Sequence, residues 1–321
     1  MLCLVAAHHL QVTPVQATPL LLARDEGQTS DLSLNDEAAG AVQGAVSPPS
    51  TTNTVPGKYF DRVMIINFEN TNYADVSAHP YWQSLAKRGR VLSNYNGVTH
   101  PSQPNYVAQL FGSTKGVWFD FDSNVKSQNL VDLLENKGVS WKGYMEAYPG
   151  GGEQGCFTKS SSEDGLYRRK HNPFMTAENI RENPARCAKI VNADEFERDL
   201  TAGTLPQFIY YTPDMNNDGH DTTLDYASDW LKGFLEPKLE RPDFLRNTLL
   251  VLTFDENGKW LGRNWVMTLL MGDPVGRTSS QDNAKYDHYS LLRTVEDNWD
   301  LGSLGRHDAE AAAFGNLNLR S

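Results

Sequence analysis

The sequence predicts an α/β fold in which a mostly parallel central sheet is flanked by helices. Short apolar runs rich in β-branched residues alternate along the chain with amphipathic helical patterns, and no internal repeat is present. Strands separated by helices pair in parallel through right-handed crossovers, which covers both faces of the sheet. With 321 residues the chain is long enough for a large domain, and we expect one catalytic domain over residues 58–321.

The first predicted strand is the apolar run DRVMIINF, which is followed by Glu69 and Asn70. A helix over YWQSLAKR is expected to end at Gly89. The stretch THPSQPNY then predicts the start of a second helix over residues 103–111. Serine caps helices well, and Pro104 is tolerated only in a first helical turn.

The later elements continue this alternation. NLVDLLENK is an amphipathic helix with Gly138 just past its end, and SWKGYME is a strand. Residues 149–186 carry glycine, serine and charge with little periodicity, which predicts a long excursion at the edge of the sheet. The remaining predicted elements are the helix ADEFERDLTAG, the strand LPQFIYYTPD, a helix over residues 227–240, the strands TLLVLTFDEN and NWVMTLLMGD, and the helix YSLLRTVEDNWDL.

Residues 1–57 are predicted to form a signal and a poorly ordered leader. The opening MLCLVAAHHLQVTPVQATPLLLA is apolar and rich in small residues, as in a secretory signal, although it lacks a basic start and His8 and His9 interrupt it. Residues 24–57 are rich in Ser, Thr, Ala, Pro and acidic residues and lack apolar periodicity. We therefore expect a secreted protein. No run of about 18 apolar residues is present, so we expect no membrane span.

The cysteine content and the net charge further limit the functions that this protein can have. Of three cysteines, Cys3 would leave with the signal, and Cys156 and Cys187 are predicted to form a disulfide. The net charge of -11 argues against nucleic-acid binding, because a phosphate backbone selects basic surfaces. An anionic substrate would have to be attracted locally, by a metal ion or by a few placed cations.

Acidic and polar clusters follow three of the predicted strands. The first is Glu69 with Asn70, the second is Asp214 with the run NNDGHD that follows it, and the third is Asp255 with Glu256 and Asn257. Ligands of open α/β sheets bind beyond the carboxyl ends of the strands, and oxygen ligands that converge there suit a divalent cation. The alternative for each cluster is a loop residue that bonds to its own backbone.

Specific residues are predicted to hold this cation. The expected ligands are Glu69, Asn70, Asp255 and Glu256. Oxygen ligation favours Mg, Ca or Mn, whereas histidine ligation would favour Zn.

Basic residues and histidines are candidates for binding a phosphoryl group. Arg168, Arg169 and Lys170 form the densest basic patch, which is either a clamp on phosphoryl oxygens or a solvated run of charge. Four histidines lie in polar clusters, and each is either functional or structural. They are His100, His171, His220 and His288.

Ser102 is the candidate nucleophile. It lies where a loop becomes a helix, and the unpaired N–H groups and positive dipole end of a helix start would stabilise an oxyanion beside its hydroxyl. The simpler alternative is that Ser102 only caps the helix.

An ordered series of motifs resembles a known family. The motifs are FENTNY, SNYNGVTHPSQPNYVA, YRRKHNP, TPDMNNDGHD, TFDEN and DHYSLLRTVEDNW. Together they are similar to the secreted fungal acid phosphatases of the phosphoesterase family, which also contains bacterial acid phosphatases and phospholipases C. The resemblance spans roughly Asp61 to Phe314 and implies a core like that of the alkaline phosphatase superfamily.

The resemblance implies a phosphatase that hydrolyses small phosphate monoesters through a phosphoserine intermediate at a metal-assisted site. Ser102 takes the nucleophile position, Glu69 and Asn70 contact metal and nucleophile, and Asp255 with Glu256 forms the acidic metal-binding pair. Further residues are expected to bind substrate or transfer protons. Those expected to bind substrate are Asn70, Asn105, Arg168, Lys170 and His171, and those expected to transfer protons are His220 and His288.

Some alternatives stay open at this point. A phosphodiesterase or phospholipase C could use the same site, and so could an inactive phosphate- or metal-binding protein. The Asp287–His288 pair comes later than in the phospholipase C branch, which leaves the role of His288 open, and Asp214 is not taken as a ligand. The segment DFDSN at residues 120–124 resembles an aspartate-nucleophile loop without its threonine.

Overall fold

The structure is a computed structural model that describes residues 54–276 and 278–320. The predicted signal and most of the predicted leader, residues 1–53, lie outside the described residues. Val55 is already attached to the fold: its N–H donates to Gln207 Oε1 at 2.9 Å, and its carbonyl accepts hydrogen bonds from Gln207 Nε2 at 2.7 Å and Trp299 Nε1 at 3.2 Å.

The described part of the chain forms a nine-stranded sheet. Its strands are β1 Arg62–Phe68, β2 Arg90–Asn96, β3 Trp141–Met145, β4 Ile190–Asn192, β5 Phe208–Thr212, β6 Thr248–Phe254, β7 Trp265–Met271, β8 Ser280–Asp282 and β9 Tyr286–Asp287. Their order is β4-β3-β5-β1-β6-β7-β2-β8, with β9 beside β2. Only β7 is antiparallel to its neighbours, so the predicted α/β class with a mostly parallel sheet is confirmed.

Helices lie between these strands and after the last of them in the described residues. They are α1 Tyr73–Ala78, α2 Pro80–Ala86, α3 Ser102–Phe111, α4 Leu130–Lys137, α5 Pro173–Thr176, α6 Glu178–Arg181, α7 Pro184–Cys187, α8 Glu195–Ala202, α9 Leu224–Leu239, α10 His288–Trp299 and α11 His307–Glu310. Among the residues described, no helix combines the length and apolar character needed to cross a membrane.

Helix α4 shows why local sequence predicted many of these elements. Asn129 Oδ1 accepts the Val131 N–H at 3.0 Å, and Asp132 Oδ2 accepts the Asn129 N–H at 2.9 Å, which completes a capping box. Gly138 follows the helix with φ 77°, a conformation that glycine adopts without steric cost. Both ends of the predicted helix are confirmed.

Strands β1 and β6 form the centre of the sheet and carry the candidate site. Every residue of β6 is buried, and so is β1 after its first residue, as expected for parallel strands covered on both faces. The pairing runs in register to Phe68 opposite Phe254, and the Asp255 N–H donates to the Phe68 carbonyl at 3.0 Å. The acidic residues that follow the two strands therefore leave the sheet side by side.

Several elements differ from the sequence prediction or add to it. Strand β2 was not predicted, because serine and asparagine interrupt its apolar pattern. Strand β7 is antiparallel because it follows β6 without an intervening helix. The excursion over residues 149–186 contains the short helices α5 and α6 and most of α7. It is closed by the predicted Cys156–Cys187 disulfide, whose Cα atoms are 5.4 Å apart.

A buried carboxyl pair joins α10 to α11. Glu296 and Asp308 are both fully buried. Asp308 is held by backbone donors: its Oδ1 accepts the Arg306 N–H at 2.9 Å and its Oδ2 the Leu304 N–H at 2.6 Å. Burial, together with the neighbouring Asp308, raises the pKa of Glu296 to about 8. The folded protein therefore keeps a proton on Glu296 at neutral pH.

We predict that the Glu296 proton makes the fold more stable in acid. As pH rises from about 5 to 8, the unfolded chain loses this proton while the folded chain holds it, so the free energy of unfolding falls. Glu296→Gln, which mimics the protonated side chain, should remove this part of the pH dependence. Melting temperatures at pH 5 and pH 8 should then differ by roughly 5 °C less than in the unmodified protein.

The exposed Glu240 provides the matched control. Glu240→Gln should leave the pH dependence of the melting temperature as it is. An equal pH dependence in the Glu296→Gln variant and the unmodified protein would contradict the prediction.

Candidate active site

Ser102 is the first residue of α3, and its hydroxyl is buried against two carboxylates. Its Oγ donates to Glu69 Oε2 at 2.8 Å and lies 3.3 Å from Glu256 Oε1. Pro101, not Ser102, holds the N-cap position, and Pro104 lies in the first turn as expected. The Ser102 side chain makes no capping hydrogen bond, so the helix-cap alternative does not describe it.

Three buried carboxyl groups meet at the ends of β1 and β6. Burial raises the pKa of Glu69, and the charges of Lys170 and His220 offset only part of this shift. Burial, followed by the charges of Glu69 and Glu256, raises the pKa of Asp255 well above its usual range. Burial and then the charge of Glu69 raise the pKa of Glu256 to about 8. Without a neighbouring cation, these three carboxyl groups therefore favour protonation over full ionisation beside Ser102.

Several buried oxygens of this site have no hydrogen-bond partner, and two of them bear on the proposed cation. They are Asn70 Oδ1 and Asp255 Oδ2, and both are buried. Asn70 has φ 46°, in the left-handed region, and its N–H approaches Asp255 Oδ1 at 3.5 Å. Buried polar oxygens without donors are rare in proteins, and a bound cation satisfies them. The residues present therefore fit a divalent metal ion.

A second group of metal-ligand type adjoins the first. Among the described His, Cys, Asp and Glu residues, Glu69, His171 and His220 place ligand atoms within 4.8 Å of one another. His171 Nε2 lies 3.2 Å from Glu69 Oε1, and its Nδ1 lies 3.4 Å from Asp218 Oδ2. Burial lowers the pKa of His171 well below its usual range, so the ring is neutral and can accept a cation.

A cleft of about 520 Å³ brings the predicted cations together. Its lining includes Arg168, Lys170, His220, Asp120, Phe121 and Met215. Lys170 Nζ lies 2.9 Å from Asp120 Oδ2 and 3.2 Å from His220 Nε2. Burial opposes the Lys170 charge, yet Glu69 and Asp120 outweigh it and raise the pKa of Lys170. The cleft therefore keeps a positive charge at neutral pH.

Arg169 is turned away from this cleft. Its guanidinium is buried and donates to the carbonyls of Thr158, Ser123 and Met175 at 3.1 to 3.2 Å. This member of the basic patch holds the loops of the excursion together, whereas Arg168 and Lys170 line the cleft.

The start of α3 is already occupied by a carboxylate. Asp120 Oδ1 accepts the Gln103 N–H at 2.9 Å, while its Oδ2 contacts Lys170. The sequence predicted free N–H groups at this helix start. The structure corrects that expectation for Gln103, because a side chain from 17 residues further along the chain reaches back to it.

The sequence profile of the phosphoesterase family matches residues 69–302, a range that contains every site residue described above. The chain belongs to the phosphoesterase family. It is 39% identical over 313 residues to a probable acid phosphatase of Kluyveromyces lactis. That match covers 95% of this chain and 73% of the Kluyveromyces protein. It is 37% identical over 282 residues to an acid phosphatase of Aspergillus niger, covering 85% and 67%.

More distant relatives extend the comparison. A phosphatidylinositol-3-phosphatase of Mycobacterium tuberculosis is 28% identical over 251 residues, covering 77% of this chain and 79% of that protein. Among solved structures, a protein of the alkaline phosphatase superfamily from Vibrio parahaemolyticus superposes with a TM-score of 0.54. It is 12% identical and covers 81% of this chain and 72% of that one. The predicted alkaline-phosphatase-like fold is confirmed, and so are the family and the phosphatase class of enzyme.

His288 occupies an interior position in this phosphoesterase. It is fully buried, its Nε2 donates to the Asp255 carbonyl at 2.6 Å, and its Nδ1 lies 3.1 Å from the Tyr95 hydroxyl and 3.2 Å from Gln109 Nε2. Burial lowers the pKa of His288 to about 4. Both nitrogens are engaged inside the protein, which leaves neither for the proton transfer predicted from the sequence.

Asn105 also differs from its predicted role in substrate binding. Its Oδ1 accepts the N–H groups of Val98 and Thr99 at 2.8 and 3.1 Å. Its Nδ2 donates to the carbonyls of Thr99 and Pro101 at 2.9 and 3.1 Å. All of its hydrogen-bonding capacity therefore shapes the loop that leads into Ser102.

Two side chains that contact the site residues were not selected from the sequence. The Tyr106 hydroxyl donates to Glu69 Oε1, and the Tyr106 ring stacks on His171 at 5.2 Å. Asp218 accepts the Glu69 N–H through its carbonyl at 3.0 Å and the His220 N–H through Oδ1 at 2.8 Å. Both residues lie within the motifs that carry the family resemblance, and this position in the sequence could have marked them as candidates.

We predict that Asn105→Ala lowers stability by about 2 to 4 kcal/mol, because it removes several buried hydrogen bonds and leaves their partners unsatisfied. The displaced loop should also lower kcat by moving Ser102. Urea unfolding and steady-state kinetics measure the two effects. A higher KM with unchanged stability would instead support the substrate-binding role that the sequence suggested.

Proposed function

We propose that this phosphoesterase is an acid phosphatase that hydrolyses small phosphate monoesters through a phosphoserine intermediate on Ser102. The observation that carries the proposal is the buried Ser102 hydroxyl, which hydrogen-bonds to Glu69 at 2.8 Å beside a cleft lined by Lys170 and His220. Relatives named acid phosphatases, at 37 to 39% identity, support the same activity.

Glu69, Asn70, Asp255 and Glu256 are the residues that we propose hold a divalent cation. The buried unpartnered oxygens of Asn70 and Asp255 support this set, as does the repulsion among the three carboxyl groups. A bound cation would polarise a phosphoryl oxygen and favour the ionised form of the Ser102 hydroxyl. Hard oxygen ligands favour Mg, Ca or Mn, and a Zn ion would favour the neighbouring histidines.

In the first step, Ser102 Oγ forms a bond to phosphorus while the bond from phosphorus to the ester oxygen breaks. The Ser102 proton passes to Glu69 Oε2, which already accepts its hydrogen bond. Lys170 and Arg168 bind the phosphoryl oxygens from the cleft. The leaving oxygen receives a proton from His220, whose ring is oriented by the contact of its Nδ1 with Asp221 Oδ1 at 2.7 Å.

In the second step, a water molecule gives a proton to His220 as its oxygen bonds to phosphorus. The bond from phosphorus to Ser102 Oγ breaks, and Ser102 Oγ takes back a proton from Glu69. Inorganic phosphate then leaves through the cleft. His288 and Asn105 act as positioning residues, because one holds the Asp255 backbone and the other holds the Ser102 loop.

We also propose that the protein is secreted. The Cys156–Cys187 disulfide supports this location, because such bonds persist in oxidising compartments.

We predict that Ser102→Ala abolishes the phosphoenzyme and lowers kcat for p-nitrophenyl phosphate by at least about 10³-fold. The fold should survive, at a cost of about 1 to 3 kcal/mol for the lost buried hydrogen bond. Mass spectrometry of acid-quenched enzyme locates the phosphate. The exposed Ser84→Ala serves as the matched control and should behave as the unmodified enzyme.

Two outcomes would contradict the proposal. Near-normal turnover by the Ser102→Ala variant would exclude it as nucleophile, and phosphate on a histidine would assign the covalent step elsewhere. Faster cleavage of bis-p-nitrophenyl phosphate than of the monoester would indicate a diesterase at the same site.

We predict that Asp255→Asn weakens Mn²⁺ binding by at least about tenfold, whereas His220→Ala weakens it less, because the cation lies among the strand-end oxygens. Equilibrium dialysis with chelator-treated protein measures the affinity without reference to activity. The reverse order of effects would place the metal at Glu69, His171 and His220 instead.

A further inference from the structure

Segment 117–122 exposes three large aromatic side chains, and one of them, Phe121, lines the cleft described above. Trp118 is 64% exposed, Phe119 is 58% exposed and Phe121 is 69% exposed. The rings of Phe119 and Phe121 lie 5.9 Å apart. Isolated exposed apolar residues are ordinary, but a contiguous group of aromatic rings marks a surface that binds something.

Hydrogen bonds fix this segment to the residue after the nucleophile. Gln103 Oε1 accepts the Phe121 N–H at 2.9 Å and the Ser123 hydroxyl at 3.3 Å. The Gln103 N–H in turn donates to Asp120 Oδ1 at 2.9 Å. The backbone of the segment is therefore held in place relative to Ser102, while its rings face solvent.

Phe121 shares one cleft with the cations. Arg168 and Lys170 line this cleft together with Phe121 and the otherwise buried Met215. A phosphate monoester carries its negative charge on the phosphoryl oxygens. Its leaving group departs on the side of phosphorus opposite the attacking Ser102 Oγ. With the phosphoryl oxygens on the cations, the apolar side chains are left for the leaving group. A cleft of about 520 Å³ suits a small ligand of this kind rather than an extended surface.

We propose that Phe121 contacts the leaving group of the substrate and gives the enzyme a preference for phosphate monoesters whose leaving group carries an aromatic ring near the ester oxygen. The inference rests on the proposed phosphatase function and names the substrate class for that site. Stacked and edge-on ring contacts stabilise such a complex beyond the burial of apolar area. A leaving group without a ring makes no such contact.

The test compares 2-phenylethyl phosphate with ethyl phosphate. Both release a primary alkoxide, so they differ mainly in the ring. The ratio of their kcat/KM values should be about 10 for the unmodified enzyme and should fall roughly fivefold or more in Phe121→Ser. Phe121→Trp should keep the preference, because the ring is retained.

Leu319 provides a control elsewhere on the surface, since it is 70% exposed. Leu319→Ser should leave the ratio unchanged. A ratio that Phe121→Ser does not alter, or an equal loss on both esters, would overturn the inference while the phosphatase proposal stands. Hydrolysis of neither ester by the unmodified enzyme would instead remove the proposed function itself.

Discussion

The parallel pairing of β1 with β6 determines the chemistry of this protein. Both strands end at the same edge of the sheet, so Glu69, Asp255 and Glu256 leave it together in an interior that excludes water. Buried like charges are strongly unfavourable unless protons or a cation compensate them. The ends of the two central strands therefore need a compensating proton or cation, and the Ser102 hydroxyl lies beside them.

The surrounding side chains donate hydrogen bonds to these acidic residues and fix their orientation. Tyr106 donates to one oxygen of Glu69 and Ser102 to the other, so this carboxylate has a single orientation. His288 performs a similar task from behind by holding the Asp255 carbonyl. These contacts come from helices α3 and α10, which pack on the same edge. Preorganisation of the site is therefore a property of the packed layers and does not depend on flexible loops.

Much of the fold could be read from the sequence, because its signals are local. Apolar runs predicted β1 and β6, and an amphipathic pattern followed by a glycine predicted α4. Strand β2 escaped because Ser93, Asn94 and Asn96 weaken its pattern, and it is stabilised by distant partners in β7, β8 and β9. A single sequence carries no signal for such pairing.

The sequence predicted which residues form the site better than it predicted the role of each residue. The motifs selected Ser102 and the strand-end acids, and the structure brings Ser102 together with Glu69 and Glu256. His288 and Asn105 were selected as well, but a role depends on what lies opposite a side chain. That information is present only once the chain has folded.

The carboxylate of Asp120 has a consequence for the end of the catalytic cycle. Lys170 is paired with Asp120 at 2.9 Å, so its charge is compensated by the protein itself. An incoming phosphate exchanges one ion pair for another, so the net gain is smaller than a full charge pair would give. The same exchange operates in reverse when inorganic phosphate departs. In the proposed mechanism, Asp120 thus weakens the hold of Lys170 on the product phosphate.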